Sequence, residues 1–312
     1  MVIDLTGFRL LELPVLVTEC VLSTMHPIEI INFAKSHLIC DKMTYSLFRR
    51  HRYFISLEIG KIPRIWFRRP GFHYVSEAQK IETNQTQIQS LKIIRELFDD
   101  STCILNSKLT NVVFAIDSFS STDNKKTIDW LKSRSSGTMA LACIEGENVE
   151  EDLNYFFQEI KVTKALAIHA SGLKSLPPGI SRNLEYLEIL HGQWITLDIL
   201  LTLDFAKLQI QNLALTNQEW NIFFKKWMNS ECNFKLKSVK AQLNEEGVLE
   251  NILEGIDFTY INSPQEFLKP EENVVVLHSG VKIVRNDGVV ASIFQLLIQG
   301  SLAILMEVHY DQ

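Results

Sequence analysis

The sequence predicts an α/β protein with a short N-terminal helical segment, an irregular solenoid of parallel strands and helices, and a small C-terminal β cap. Three observations predict it: helical apolar spacing near the N-terminus, a recurring strand-like pattern in the middle, and strand-like stretches around a hairpin-turn signal near the end. We predict boundaries at 1–48 for the helical segment, 49–104 for a connecting segment, 105–260 for the solenoid and 261–312 for the cap. The 312 residues, 46% hydrophobic and 22% charged, have the composition of an ordinary globular chain of about two domains.

Composition and charge exclude several classes of protein. The five cysteines are an odd number, widely spaced and without a C-x-x-C pair, which is typical of a reducing compartment. Asp4 stands where a secretory signal needs positive charge, and the apolar run Leu302–Met306 is far below the ~20 residues of a membrane helix. The net charge of −6 argues against non-specific nucleic-acid binding. We therefore expect a soluble cytoplasmic or nuclear protein that does not bind a membrane and does not bind nucleic acid non-specifically, although the net charge does not exclude a local basic patch.

The N-terminal segment reads as short helices separated by turns. Apolar residues recur at helical spacing from 8 to 47. Pro14 suits a first helical turn, while His26-Pro27 ends one helix and starts another. Periodicity alone favours a helical cap that covers the first repeat. A unit of about 40 residues nevertheless buries its apolar faces poorly by itself and normally packs against a partner.

Specific motifs in this segment change that interpretation. Leu13-Pro14, a following Val-Leu pair and Pro27-Ile28-Glu29 occur in order, and the segment resembles an F-box of the nematode type. The resemblance implies docking on the SKP-type adaptor of a cullin-RING ubiquitin ligase. The matching adaptor-binding positions are Leu13, Pro14, Val17, Val21, Leu22, Met25, Pro27, Ile30 and Phe33. As interface anchors, Val21 and Leu22 should be exposed in the free chain. Residues 36–43 depart from the usual third-helix ending of the family.

A basic and aromatic stretch follows between Phe48 and Tyr74. Arginines interleaved with aromatic residues can hold a nucleic-acid backbone and stack on bases. The alternation over 55–59 and 65–67, however, is typical of half-buried strands. We favour an edge hairpin with a solvated basic face.

A repeat organises residues 105–255. The sequences Leu184-Glu-Tyr-Leu-Glu-Ile, Ile210-Gln-Asn-Leu-Ala-Leu and Leu236-Lys-Ser-Val-Lys-Ala follow one another at 26-residue intervals. Their shared apolar-x-x-apolar-x-apolar pattern is the strand portion of a leucine-rich-repeat unit. Weaker copies begin at Leu109 and Thr138 and also at Thr163, and helix-like segments separate the copies.

Stacking of such units predicts specific neighbours. Leu187, Leu213 and Val239 should occupy equivalent places on neighbouring parallel strands, because one strand and one helix cannot close a core alone. Outward positions on these strands are predicted to bind a protein substrate, namely Glu185, Gln211 and Lys237. A doubly wound α/β domain, which has the same alternation without a fixed period, is the alternative.

Two helical stripes in this region are predicted to be core. Residues 220–227 and 153–160 carry large apolar side chains at i, i+3, i+4 and i+7, a pattern more typical of a buried helix face than of a cofactor site. The stretch Leu213-Ala-Leu-Thr-Asn-Gln-Glu-Trp-Asn, followed by Trp227, resembles the type 2 F-box-associated domain. That resemblance implies a recruiting domain that binds proteins.

The C-terminal end reads as a small β cap. Residues 273–280 and 281–285 are strand-like, and Arg285-Asn-Asp-Gly is a strong hairpin-turn signal. Residues 302–310 supply a final strand. Terminal units of repeat arrays commonly cover the exposed edge of the core.

Catalytic motifs are absent from the sequence. No G-x-S-x-G, G-x-G-x-x-G, Walker A or H-E-x-x-H pattern occurs. Asp117, Cys143, His169 and His191 lie at or just after predicted strand ends, and Cys143 with His169 resembles a nucleophile and base. Since no activating third group or oxyanion motif accompanies the pair, we predict no catalytic residue. The cysteines and histidines form no cluster at zinc-finger spacing, and we expect no metal site and no cofactor.

Together these features predict the substrate-recognition subunit of an SCF-type ubiquitin ligase. Its partners would be the SKP-type adaptor, through the adaptor a cullin, and a protein substrate. Two alternatives stay open: a leucine-rich-repeat-like protein-binding scaffold unrelated to ubiquitin, and a diverged α/β hydrolase.

Overall fold

The computed structural model describes residues 13–48, 53–69, 87–244, 249–261, 274–276, 280–298 and 300–310. The chain is a mixed α/β protein that forms two compact units, Met1–Val113 and Phe114–Gln312. The mixed α/β class predicted from the sequence is confirmed. The finer division into four segments stays a prediction. None of the described helices is both long enough and apolar enough to span a bilayer.

The first unit combines helices with a β-hairpin. Its elements are α1 (Val15–Thr24), α2 (Pro27–Ser36), α3 (Leu38–Phe48), β1 (Phe54–Ile59), β2 (Arg64–Arg68), α4 (Gln87–Leu105) and the start of β3 (Lys108–Ala115). α2 begins at a capping box, in which the His26 side chain accepts from the Ile28 amide and Glu29 accepts from the His26 amide. α4 lies in the predicted connecting segment 49–104 and was not predicted from the sequence.

The basic and aromatic stretch forms the predicted hairpin where it is described. β1 and β2 pair antiparallel, with Ile55 opposite Phe67 and Leu57 opposite Ile65. Those four side chains are buried, whereas the alternate positions are partly exposed. Arg64 pairs with Glu58 across the hairpin. The arginines at 49, 50 and 52 lie outside the described residues.

The second unit is a sheet with helices between its strands. The strands are β4 (Thr138–Glu147), β5 (Lys161–Ser171), β6 (Tyr186–Ile189), β7 (Lys207–Ile210), β8 (Ser238–Gln242), β9 (Thr259–Tyr260), β10 (Val274–Val276), β11 (Val281–Val284), β12 (Val290–Ile298) and β13 (Ser301–His309). The helices are α5 (Ser121–Ser135), α6 (Glu150–Glu159), α7 (Leu197–Thr202), α8 (Asn217–Met228) and α9 (Leu249–Ile252). The strand order is β4-β5-β6-β7-β8-β13-β12-β11-β9, and β10 pairs with β12. β4 to β8 are parallel, as predicted.

The predicted register of the repeat is wrong at its middle unit. Leu187 on β6 pairs with Leu208 on β7, and Leu208 pairs with Val239 on β8. Leu213 lies after β7, although it is buried. The sequence from Phe205 has the same apolar-x-x-apolar-x-apolar pattern as the stretch from Ile210, and it is the earlier copy that forms the strand. The spacing between equivalent positions is therefore 21 and then 31 residues rather than a constant 26.

The parallel sheet is covered on one face and open on the other. Leu166, Leu187, Leu208 and Val239 are buried, while the residues that alternate with them are partly exposed. Strands of a doubly wound sheet are buried on both faces, so the burial pattern does not support that alternative.

The two helical stripes predicted to be core are buried. On α8 these are Trp220, Phe223, Phe224 and Trp227, with edge-to-face contact between Trp220 and Phe223. On α6 and at its C-terminal end they are Leu153, Phe156, Phe157 and Ile160. Both stripes therefore lie in the interior, as predicted.

The C-terminal strands extend the same sheet. β11 and β12 lie on either side of the predicted hairpin turn and pair antiparallel, with Gly288 at φ 91° in the turn. β13, also predicted, pairs antiparallel with β8 and so covers the edge of the last parallel strand. The strand β12 was not predicted from the sequence.

A buried arginine, Arg285, follows β11 and contacts side chains of the hairpin turn, of α8 and of the residue after β13. The Arg285 guanidinium is 5% exposed and pairs with Asp287 through Nε–Oδ1 and Nη2–Oδ2 distances of 2.9 and 2.8 Å. It also lies 5.1 Å from the centre of the Trp227 ring and 5.9 Å from that of Tyr310. Bidentate pairing and ring stacking are the interactions for which arginine is suited.

Candidate functional site

The N-terminus of α1 exposes consecutive apolar side chains. Val15, Leu16 and Val17 are 67%, 75% and 44% exposed, and Pro14 before them is also exposed. The first turn of α3 does the same, with Leu38 and Ile39 at 64% and 56%. Single exposed aliphatic residues are ordinary, whereas contiguous exposed apolar residues are a feature of interaction surfaces in general. We refer to these runs as the exposed apolar segments 14–17 and 38–39.

Three predicted adaptor-binding residues lie in the interior instead. Leu22 and Ile30 have no exposed surface, and Pro27 is buried. The prediction that Leu22 is exposed in the free chain is wrong. The apolar stripe of each helix has its own interior face, and helical spacing alone does not distinguish that face from one that meets a partner.

The remaining predicted positions are accessible to different degrees. Pro14 and Val17 are exposed, and four positions are half-buried: Leu13, Val21, Met25 and Phe33. Adaptor binding through these residues stays a prediction. The exposed residues Leu16, Leu38 and Ile39 were not among the predicted adaptor-binding positions, since nothing in the helical spacing marks them as more exposed than their neighbours.

The second unit presents the open face of its parallel sheet. The outward side chains on this face are mostly polar, and we define the open sheet face by Cys143, Glu145, His169, Tyr186, Glu188, Gln209, Ser238 and Lys240. Contacts between strands connect them. The Tyr186 hydroxyl donates to Glu188 Oε2 at 2.8 Å and lies 3.2 Å from Gln209 Oε1.

A thiol, an imidazole and a carboxylate meet at one end of this face. Cys143 Sγ is 3.7 Å from His169 Nδ1, and His169 Nε2 is 3.2 Å from Glu188 Oε1. Glu145 Oε1 is 3.8 Å from the Cys143 sulfur and 3.9 Å from His169 Nδ1. The structure therefore brings Cys143 and His169 together and supplies a third group, Glu188, that was not predicted from the sequence. Asp117 and His191 are not part of this cluster.

The electrostatics of the cluster favour a charged imidazole. Contact with the Cys143 sulfur, and then with the Glu188 carboxylate, raises the pKa of His169 to about 10, although burial acts in the opposite direction. The same hydrogen bond from His169 lowers the pKa of Glu188, with a further contribution from the Tyr186 hydroxyl. Chemically, such a group of side chains can polarise a thiol or coordinate a metal ion.

The predicted substrate-binding residues are not equivalent positions. Glu185 precedes β6 and Lys237 precedes β8, and both are exposed. Gln211 follows β7, so it lies at the opposite end of its strand from the other two. The five-residue error in the register of the middle repeat caused this misplacement. The outward positions on the strands are Tyr186 and Glu188 on β6 and Lys207 and Gln209 on β7.

Comparison with known families finds a similarity over part of this unit. No curated protein and no solved structure matches the chain. A family model does match, and it is described as F-box associated. Residues 177–241 carry the match. The resemblance to an F-box-associated domain predicted from the sequence is therefore confirmed, while its nematode type stays a prediction.

The F-box-associated match covers the centre of the open sheet face. It includes β6, α7, β7, α8 and most of β8, and with them Tyr186, Glu188, Gln209 and Lys240. Cys143 and His169 precede the match, and so does the N-terminal segment 1–48. The likeness of that segment to an F-box stays a prediction.

Proposed function

We propose that the chain is the substrate-recognition subunit of an SCF-type ubiquitin ligase. The observation that supports this most is the F-box-associated match at 177–241. Domains of that description accompany an F-box, and the N-terminal segment has the Leu13-Pro14 and Pro27-Ile28-Glu29 motifs that resemble one. In this function the first unit binds an SKP-type adaptor, and through it a cullin.

The proposed adaptor contact uses the exposed apolar segments 14–17 and 38–39. Leu16 and Val15 each leave most of their surface in water in the free chain, and burial of such a side chain stabilises a complex by roughly 1.5–3 kcal/mol. Leu22, Pro27 and Ile30 contribute indirectly, because they hold the helices in place from the interior.

The proposed substrate contact is the open sheet face. Its side chains are polar and partly exposed, and they lie on a rigid sheet rather than on loops. A rigid polar surface suits recognition of a protein partner. The subunit itself carries out no bond chemistry: it raises the effective concentration of the bound protein near the conjugating enzyme.

A titration with two matched variants tests the adaptor contact. The full chain is titrated with a purified SKP-type adaptor, alongside Leu16→Asp and the control Ile222→Asp, which alters an exposed residue of α8 in the second unit. Leu16→Asp should weaken binding by a factor of ten or more, since each ~1.4 kcal/mol is tenfold in affinity and an unpaired carboxylate is costly in an apolar interface.

The control shows whether a loss of adaptor binding is specific to position 16. Ile222→Asp should bind like the wild type, and both variants should melt within a few degrees of it. Adaptor binding that is unchanged in Leu16→Asp would contradict the proposed contact. No binding by the wild type would contradict the ligase function and leave the scaffold unrelated to ubiquitin as the better account.

A further inference from the structure

We propose that Cys143, Glu145 and His169 bind a zinc ion on the open sheet face, with Glu188 as the carboxylate that orients His169. This site is independent of adaptor binding and of the F-box resemblance. It depends on the positions of four side chains on three neighbouring strands.

The register of the strands brings the three ligands together. Glu145 on β4 is the direct partner of His169 on β5, and Cys143 lies two residues before Glu145. Side chains two residues apart on a strand point to the same face. The neighbours of His169 on the same face of its strand, Ala167 and Ser171, are small. A thiol, a carboxylate and an imidazole therefore share one corner of the sheet.

The separations between the ligand atoms are close to those of a tetrahedral site. Zn–S of about 2.3 Å with Zn–N and Zn–O of about 2.0–2.2 Å gives ligand-to-ligand distances of about 3.4–3.6 Å. Here Sγ–Nδ1 is 3.7 Å, Sγ–Oε1 of Glu145 is 3.8 Å and Nδ1–Oε1 is 3.9 Å. The three atoms form a nearly equilateral triangle that needs to contract by only a few tenths of an ångström.

The second ring nitrogen of His169 has the partner that metal-bound histidines usually have. His169 Nε2 lies 3.2 Å from Glu188 Oε1, and Tyr186 holds the other oxygen of Glu188 at 2.8 Å. A carboxylate on the distal nitrogen keeps a proton on Nε2, so that Nδ1 binds the metal as it releases its own proton, and it raises the basicity of Nδ1. Glu188 and Tyr186 are positioning residues in this arrangement.

The donor set selects among metal ions. A thiolate excludes the hard cations Mg²⁺ and Ca²⁺, which prefer oxygen, whereas sulfur, nitrogen and oxygen together suit zinc. Three protein ligands leave one position of a four-coordinate ion for water. The side chains of His169 and Glu145 are 27% and 46% exposed, so an ion can reach the site from solvent.

Cobalt and zinc titrations of the full chain test the site. The protein is purified in chelator, freed of it, and titrated with Co²⁺ and then with competing Zn²⁺. We expect one ion to produce the intense visible bands of four-coordinate cobalt, together with a near-ultraviolet thiolate-to-cobalt band, and Zn²⁺ to remove both. Cys143→Ser should lose the thiolate band, while Cys103→Ser, which alters an exposed cysteine on α4, should keep it.

Further variants separate binding from folding. Glu145→Gln changes a partly exposed side chain and should leave the melting temperature in chelator nearly unchanged while weakening Zn²⁺ binding. Glu188→Gln should weaken it by about 10- to 100-fold through the loss of the carboxylate behind His169. The proposal is overturned if the wild type shows no cobalt bands, or if Cys143→Ser and Glu145→Gln both bind the ion as the wild type does. Adaptor binding by the same samples is measured separately. Failure of the zinc proposal and failure of the proposed ligase function are therefore distinguished from each other.

Discussion

Replacement of Leu22 by alanine should destabilise the first unit far more than the same replacement at Leu16. Leu22 has no exposed surface, whereas Leu16 is 75% exposed. A buried leucine-to-alanine change costs about 2–5 kcal/mol, because it removes apolar contact and leaves a cavity. An exposed change of this kind usually costs under about 0.5 kcal/mol.

Thermal melting of the full chain measures the difference. Leu22→Ala should lower the midpoint of the transition in which the first unit melts by roughly 5 °C or more, while Leu16→Ala should leave that midpoint within about a degree or two of the wild type. Both variants introduce alanine, the residue of highest helix propensity, so a difference between them does not come from helix propensity. Equal effects of the two substitutions would show that Leu22 is not part of the interior and would refute the division between buried and exposed helix faces.

Two further predictions concern the second unit. Arg285→Lys should lower the free energy of unfolding, measured in urea, by about 1–3 kcal/mol, since lysine cannot replace the two hydrogen bonds to Asp287. Lys282→Ala, at an exposed position of the same strand region, serves as the control. A loss of stability no larger than that of the control would contradict the role of the buried guanidinium. In chelator, the stability difference between wild type and Glu188→Gln should be greatest at about pH 4.5–6.5. Because the pKa of His169 is raised in the folded state, its contribution to folding stability is complete below its ordinary pKa of 6.5 and is lost as the pH rises through about 10. Because the pKa of Glu188 is lowered, its contribution is complete above its ordinary pKa of 4.5 and is lost as the pH falls through the folded pKa. A difference that grows above pH 10 would have the wrong sign.

Much of the fold follows from local patterns in the sequence. Apolar alternation predicted β1 and β2, and helical stripes predicted the buried faces of α6 and α8. These patterns succeed because a half-buried strand and an amphipathic helix impose different spacings on their apolar residues.

The error in the repeat has a specific cause. The copies of the strand pattern that start at Phe205 and at Ile210 overlap, and both place buried residues at their apolar positions. The equal 26-residue spacing favoured the later copy. Pairing with β6 and β8 decides for the earlier one, and that pairing is a property of the folded sheet rather than of either segment.

The cluster at Cys143 was seen only in part for a similar reason. Cys143 and His169 were singled out by residue type, but Glu188 is on a third strand and resembles any other surface carboxylate in the sequence. Alternation from the buried Leu187 predicts that Glu188 points outward. Only the register between β5 and β6, where Ala167 faces Glu188, places it beside His169.

Hydrogen exchange of the full chain with and without a purified SKP-type adaptor tests the central claim most directly. The account predicts that amides of α1 and of the first turns of α3 become protected in the complex, because the exposed apolar segments 14–17 and 38–39 are covered. Amides of β6 to β8 should exchange as in the free chain, because the open sheet face is left for substrate. Absence of a complex, or a complex that protects the sheet and leaves α1 unchanged, would contradict the account.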